Sequence, residues 1–208
     1  VLQEAIEQAG SPEPDPTTER ILVGARQQFE EFGLRRTTME DVARRVGVSR
    51  VTIYRRFPGK DALVGAVLLE EARRFFGELE VAVEGCEGVD EVLAEGFAFA
   101  LERLRGHVLL NRLLDTEPES ILPHLTLESQ SVVESIRGLL ASHLALRLEG
   151  ARLTRADVEV AAEMLLRLVL SFLLTPHTVA RVETPDEARR FARRYLSPAL
   201  SSVAAENR

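Results

Sequence analysis

Apolar residues recur at intervals of three and four along almost the whole chain, the spacing of one buried helix face. Ile21, Ala25, Phe29 and Phe32 form the first such stripe. Asp15 stands where an N-cap belongs, Pro16 takes the first helical position, and Gly33 supplies a stop. Thr38-Met-Glu-Asp41 has the form of a capping box with Asp in the Glu place, and it opens a short helix with Met39, Val42, Ala43 and Val46 inward. Gly47-Val-Ser49 then makes a tight turn, Ser49 caps a helix over Arg50–Phe57, and Pro58-Gly59 interrupts. A long helix is predicted over Lys60–Glu84, with Leu63, Val67, Phe75 and Phe76 among its apolar positions. Further helices are predicted at 89–105, 107–115, 121–148 (with a candidate kink near His124), 154–174 and 184–200. No segment alternates with period two between turn signals, so strands are not expected and the fold class is all-α. Residues 1–16 stand apart as a loose arm, because three prolines in Gly10-Ser-Pro-Glu-Pro-Asp-Pro16 favour an extended tether.

Composition narrows the function. Of 208 residues, 45% are hydrophobic and 28% charged, enough to bury a core. Cys86 is the one cysteine, which excludes a disulfide framework or a thiolate zinc cluster and fits a reducing compartment. The most apolar run, Val160–Leu174, carries Glu163 and Arg167 and falls short of the ~18 uncharged residues of a membrane span. The N-terminus lacks the basic and apolar regions of a secretory signal, so a cytoplasmic protein with no membrane partner is expected. The net charge of −7 is unevenly distributed. Thr17–Lys60 holds ten basic residues against five acidic ones, a balance of +5, while the remainder stands at −12. A basic head on an acidic body assigns polyanion binding to one end only.

The head carries the motif for that task. Two short helices joined by Gly47-Val48-Ser49 form a helix-turn-helix, in which the glycine ends the first helix left-handed and Val48 plugs the gap. The second helix enters the major groove by its N-terminal residues, here Arg50, Thr52 and Tyr54 with Arg55 beside them, all donors suited to phosphates and base edges. Catalytic signatures are missing. Gly59-Lys60 is not a phosphate-binding loop, since Tyr54 and Asp61 occupy the places of its first glycine and its hydroxyl residue. There is no nucleophile elbow, dinucleotide loop or paired-histidine zinc motif, so neither an enzyme nor a metal or cofactor is expected.

Phe29-Glu-Glu-Phe-Gly33, Thr37-Thr38, Val42-Ala43, Gly47-Val-Ser49, Thr52-Ile-Tyr54, Phe57 and Lys60-Asp-Ala-Leu63 together resemble the N-terminal domain of the TetR family of bacterial transcriptional regulators. Val46 departs from the pattern, where alanine is usual, and so does Val51, where a small residue is common. The resemblance implies an arm (1–16), a three-helix helix-turn-helix DNA-binding domain (17–63) and a helical ligand-binding and dimerisation domain (64–208). It further implies that Thr38 and Lys60 contact phosphates and that Tyr54 packs on the DNA backbone and donates its hydroxyl there. Arg50 and Thr52 would face bases, and Arg55 would reach phosphate or base. Arg36, with Arg35, would add electrostatic attraction from the loop.

For the body, a helix apolar around most of its circumference must be covered on two sides, and Val160–Leu174 is such a helix. The resemblance implies that it forms a four-helix bundle in a homodimer with the helix that follows, giving Leu165, Val169, Phe172, Leu173, Phe191 and Tyr195 as interface candidates. Glu163 and Arg167 are spaced for an intrahelical pair, but a pair across the interface or a cavity lining is equally open. It also implies a repressor released from operator DNA by a small ligand in the body. Candidate lining residues are Phe97, Leu101, Leu104, Ile136 and Leu140, with His107, His124, Met164 and Arg167 as the less apolar members. Such a lining favours an apolar or aromatic ligand. The alternative is a helical protein-interaction module whose helix-turn-helix does not bind DNA.

Overall fold

Asp15 accepts the Thr17 N–H at 2.9 Å, and Pro16 opens helix α1 (Pro16–Arg36). The computed structural model describes residues 15–126, 130–149 and 151–206, so residues 1–14 of the expected arm lie outside it; among the described residues every element is helical. Ile21, Ala25 and Phe29 of the first stripe are buried, while Phe32 is 42% exposed. Gly33 interrupts α1 at φ 81° and ψ 172°, a conformation reserved for glycine, before a last turn runs on to Arg36. Helix α2 (Met39–Val46) and helix α3 (Arg50–Arg56) follow, then α4 (Lys60–Ala82).

Close packing of α1 on α2 explains the valine at 46. A Cβ on Gly24 would come within 2.1 Å of Val46 Cγ1, so the extra volume at 46 is accommodated by the absence of a side chain at 24. Ile21, Phe29, Val42, Ile53 and Leu63 form the centre of the head's core, each about 1% exposed or less. Burial of each stabilises by roughly 1.5–3 kcal/mol, an upper bound against an extended unfolded chain.

The core does not end at residue 63. Helices α6 (Val108–Thr116) and α7 (Pro118–Leu125) contribute Leu109, Leu113 and Ile121 to it. By packing, the chain divides into one unit of residues up to Ala72 with His107–Ile136, and a second of Arg73–Gly106 with Arg137 onward. The head's core therefore extends beyond residue 63, with α6 and α7 covering its apolar face. The side chain of Glu117, between those helices, occupies the space that a Cβ on Gly33 would fill, 1.9 Å from Oε1, and its Oε2 accepts the Arg35 N–H at 2.8 Å.

The second unit contains two clusters. Helix α5 (Gly88–Arg105) supplies Phe97 and Leu101 to one of them, against Phe172 of α9 (Arg155–Leu174) and Phe191 of α10 (Pro185–Phe191). The Phe97 and Phe191 rings stack with centroids 5.6 Å apart, and Phe172 meets Phe191 edge-on at 5.5 Å. The other cluster joins Val92 and Leu93 to Leu144 and Leu148 and to Val158, Ala161 and Ala162.

Two predicted helices differ from the observed ones. Instead of one helix over 121–148 there are two, α7 and α8 (Gln130–Arg147). Pro123 lies inside α7, and Thr126 leaves the helical region at φ −129° and ψ −128°, so the chain breaks two residues beyond His124. The helix predicted at 184–200 starts with a complete Thr184–Glu187 capping box, then widens into a π turn over Ala192–Leu196 before α11 (Ser197–Glu206). Ser197 N–H bonds to Ala192 C=O across this turn, and Pro198, which cannot donate to the carbonyl four residues back, follows at once.

Candidate nucleic-acid interface

The turn between α2 and α3 is built from its backbone outward. Gly47 adopts φ 69°, the left-handed region, and the Val48 N–H closes on Ala43 C=O at 3.0 Å. Val48 packs half-buried against the head core. Ser49 Oγ accepts the Thr52 N–H at 3.1 Å and lies 2.8 Å from Thr52 Oγ1, so cap and first turn hold each other. Ile53, fully buried, and Phe57 pin α3 down from below. That orientation turns Arg50, Val51, Tyr54 and Arg55 outward, with Val51 75% exposed, and leaves Thr52 half-buried beside its cap.

Most cations of the head are already engaged. Arg20 donates to Val46 C=O at 2.6 Å; Arg26 pairs with Glu30 and Glu71; Arg35 pairs with Glu119; Arg44 with Asp41; Arg45 with Glu31; Arg56 with Asp15. Arg50 Nε lies 3.0 Å from Glu40 Oε1, and its Cζ sits 5.5 Å from the centre of the Tyr54 ring. Of the head's cations, Arg36, Arg55 and Lys60 pair with no side chain among the described residues, and Arg36 and Arg55 are exposed. Lys60 stands half-buried at the first position of α4, where the helix dipole adds to its positive charge.

Thr38 is more committed than the sequence suggests. Its hydroxyl accepts the Asp41 N–H at 3.2 Å and donates to Asp41 Oδ2 at 2.7 Å, and its own N–H donates to the same oxygen at 3.0 Å. These bonds, joined by the Arg44 guanidinium, hold the Asp41 carboxyl below the usual carboxylate range. The Thr38 hydroxyl proton is thus committed to Asp41. Sequence reasoning overlooked Glu40 because an acid in a helix's first turn reads as dipole compensation. It also overlooked Arg56, whose link to Asp15 and Thr18 ties the end of α3 to the start of α1.

The candidate residues of the body fall in both packing units, His107, His124 and Ile136 in the first and the others in the second. Phe97 and Leu101 lie in the aromatic cluster, half-buried Leu140 packs with the other cluster, and Leu104 and Ile136 are half-buried. His107 caps α6, its Nδ1 accepting the Leu110 N–H at 3.2 Å while Nε2 faces Glu71 Oε2 at 3.0 Å. His124 is half-buried near the end of α7. Met164 is 61% exposed and Arg167 is exposed on α9, the latter with Nε bonded to Glu163 Oε1 at 2.8 Å, so the intrahelical pair forms. Of the interface candidates, Phe172 is buried; Leu165, Val169, Leu173 and Phe191 are half-buried; and Tyr195 is 55% exposed. Among the described residues no group of three or more potential ligands could hold a metal, and no helix is long and apolar enough to cross a membrane.

Known families match both the head and the body of the chain. Residues 21–67 match the model of bacterial regulatory proteins of the tetR family, and residues 89–194 match that of the C-terminal domain of the bacterial tetracyclin repressor. A helix-turn-helix transcriptional regulator of Mycobacterium bovis, itself uncharacterised, is 28% identical over 155 residues, 73% of this chain and 77% of that protein. The Escherichia coli regulator UidR is 33% identical over 78 residues, 38% of this chain and 40% of its own. Among solved structures, the TetR family repressor AlkX of Dietzia sp. superposes with a TM-score of 0.72 at 24% identity, covering 93% of this chain and all of that one.

Proposed function

The chain belongs to the TetR family of bacterial transcriptional regulators, and from that membership we propose that it is a cytoplasmic repressor that binds double-stranded operator DNA as a homodimer and leaves it when a small apolar or aromatic molecule binds the body. In this reading residues 17–63 do the DNA work and residues 64–208 provide dimerisation and ligand response. The observation that carries it is the capped α3, which turns Arg50, Tyr54 and Arg55 outward while Ile53 anchors it. Arg36, Arg55 and Lys60 then supply the phosphate contacts, being the cations not spent on internal pairs. The leucine and phenylalanine content of α5 and α9 supports an apolar ligand.

The decisive measurement is fluorescence anisotropy on duplexes selected from a random library, repeated across salt concentrations. Three phosphate contacts per protomer, six per dimer, give a log–log salt slope of about −5 at roughly 0.9 per neutralised phosphate. Specific binding by two protomers with that slope supports the reading. A folded protein that binds no duplex at any salt overturns it in favour of the interaction module. A thermal-shift screen of apolar and aromatic compounds tests ligand response, and a hit must also release the selected duplex.

A further inference from the structure

We propose that Glu40 is a positioning residue for sequence readout, holding the Arg50 guanidinium so that its Nη1/Nη2 end meets a guanine. The inference rests on the DNA-binding reading above and adds a residue that neither the motif nor the comparisons assign. Its starting point is an anomaly of charge. Glu40 lies in the first turn of α2, close enough to the N-terminus of α3 to reach Arg50, in a head that must approach phosphates. An acid there repels the polyanion and lowers affinity for every duplex alike. The side chains of Glu40 and Arg50 are 42% and 72% exposed, and an ion pair so open contributes little to stability. Fold maintenance therefore does not account for it.

The geometry accounts for it as orientation. Glu40 Oε1 forms an ion pair with the Arg50 guanidinium and lies 3.0 Å from Nε, while the Tyr54 ring lies 5.5 Å from Cζ. Two contacts from different elements, a carboxylate on α2 and a ring one turn along α3, restrict a side chain that otherwise samples many rotamers. The guanidinium fork is rigid, so a carboxylate paired on its Nε side leaves the two terminal nitrogens as the donor edge directed away from it. That edge matches the O6 and N7 acceptors of guanine in the major groove. Glu40 thus lowers general affinity and raises discrimination.

The test separates these two effects. Duplexes are first selected with the wild-type protein, and the G·C pair whose requirement disappears in Arg50→Ala is identified. Anisotropy is then measured on this duplex, on one with A·T at that pair, and on random sequence, for Glu40→Ala, Glu40→Gln and the double variant with Arg50→Ala. Glu40→Ala is expected to bind random duplex as tightly as wild type or several-fold tighter, while its preference for G·C over A·T falls about 3- to 10-fold. Glu40→Gln, which keeps the shape of the side chain but removes the charge of the ion pair, loses the preference to a similar extent. With Arg50 already alanine, removing Glu40 changes no preference. An intact preference in Glu40→Ala overturns the proposal, as does an equal loss when Arg50 is absent. A purely structural role would instead lower the unfolding temperature by circular dichroism and weaken all duplexes together, which also overturns it. If the wild-type protein discriminates among no duplexes, the DNA-binding reading fails first and the positioning role with it. If it discriminates and Arg50→Ala keeps every base requirement, only the positioning role fails.

Discussion

Arg50 and Lys60 are both cations at the start of a helix, yet the proposed DNA-binding reading gives them different work. Arg50 projects 72% of its side chain from a seven-residue helix with a carboxylate and a ring on its flanks, the setting of a base reader. Lys60 stands half-buried at the head of a 23-residue helix, as a point charge for a phosphate. Arg50→Ala is therefore expected to cost about 1–3 kcal/mol on the selected duplex and to relax preference at one base pair per half-site. Lys60→Ala should weaken specific and random duplexes alike and make the salt slope shallower by about 2 for a dimer. Competition titrations at two salt concentrations check both; a Lys60 variant that changed base preference would exchange the two roles. At this scale the sequence disclosed which residue types face outward from α3, because capping by Ser49 and burial of Ile53 fix the helix's rotation. It did not disclose partners across elements. Neither the Glu40–Arg50 pair nor the Asp15–Arg56 pair follows from spacing, since residues ten or forty apart meet only when the fold brings them together.

Elements were legible where local chemistry decides them. Three capping boxes, at Thr38–Asp41, Thr154–Asp157 and Thr184–Glu187, start helices within a residue of the predicted positions. Ends governed by tertiary packing were not. Gly33 stops the helical backbone as expected, but the turn to Arg36 persists because Glu117 receives the Arg35 N–H. The break at Thr126 and the π turn before Pro198 likewise depend on how the chain accommodates a proline, which periodicity does not register. The Thr38–Asp41 box also makes a titration prediction. Hydrogen bonds from the Thr38 hydroxyl and N–H, and then the charge of Arg44, lower the Asp41 pKa below 3.8 in the folded state. The stability it adds is thus complete above the unfolded value and is lost as pH falls through the lower folded value. Unfolding temperatures of wild type and Asp41→Asn should differ by a constant gap above about pH 4 that closes on further acidification. A gap unchanged down to pH 2 would mean that shape, not charge, makes the cap.

For the whole molecule, the proposed homodimer requires a surface of the body that meets a second copy. Interior and exterior of α9 are now distinguishable. Val158, Ala161, Ala162 and Phe172 are buried within the chain's own clusters, whereas Val160 is 60% exposed and Met164 61%, one turn apart with Arg167 and Ser171 continuing the line. Sequence pattern alone could not make this separation, because a helix apolar on nearly all sides gives no phase to its hydrophobic stripe. Phe172, an interface candidate, is buried in the chain itself, and Met164, a pocket candidate, is exposed. A homodimer that uses α9 must bury the Val160–Met164 line, so a charge there should act on association without touching the core. Met164→Glu is expected to retain the helical spectrum and the unfolding midpoint of an intact chain while light scattering reports half the wild-type mass. Leu173→Glu is the poorer probe, since a half-buried position confounds lost association with lost folding. The monomer should then bind a half-site duplex as well as wild type does and lose the added affinity of the full operator, because only a dimer can engage two half-sites separated by a helical turn. Full dimer mass in Met164→Glu would move the interface to another face of the body, and with it the lever by which a ligand could change the separation of the two heads.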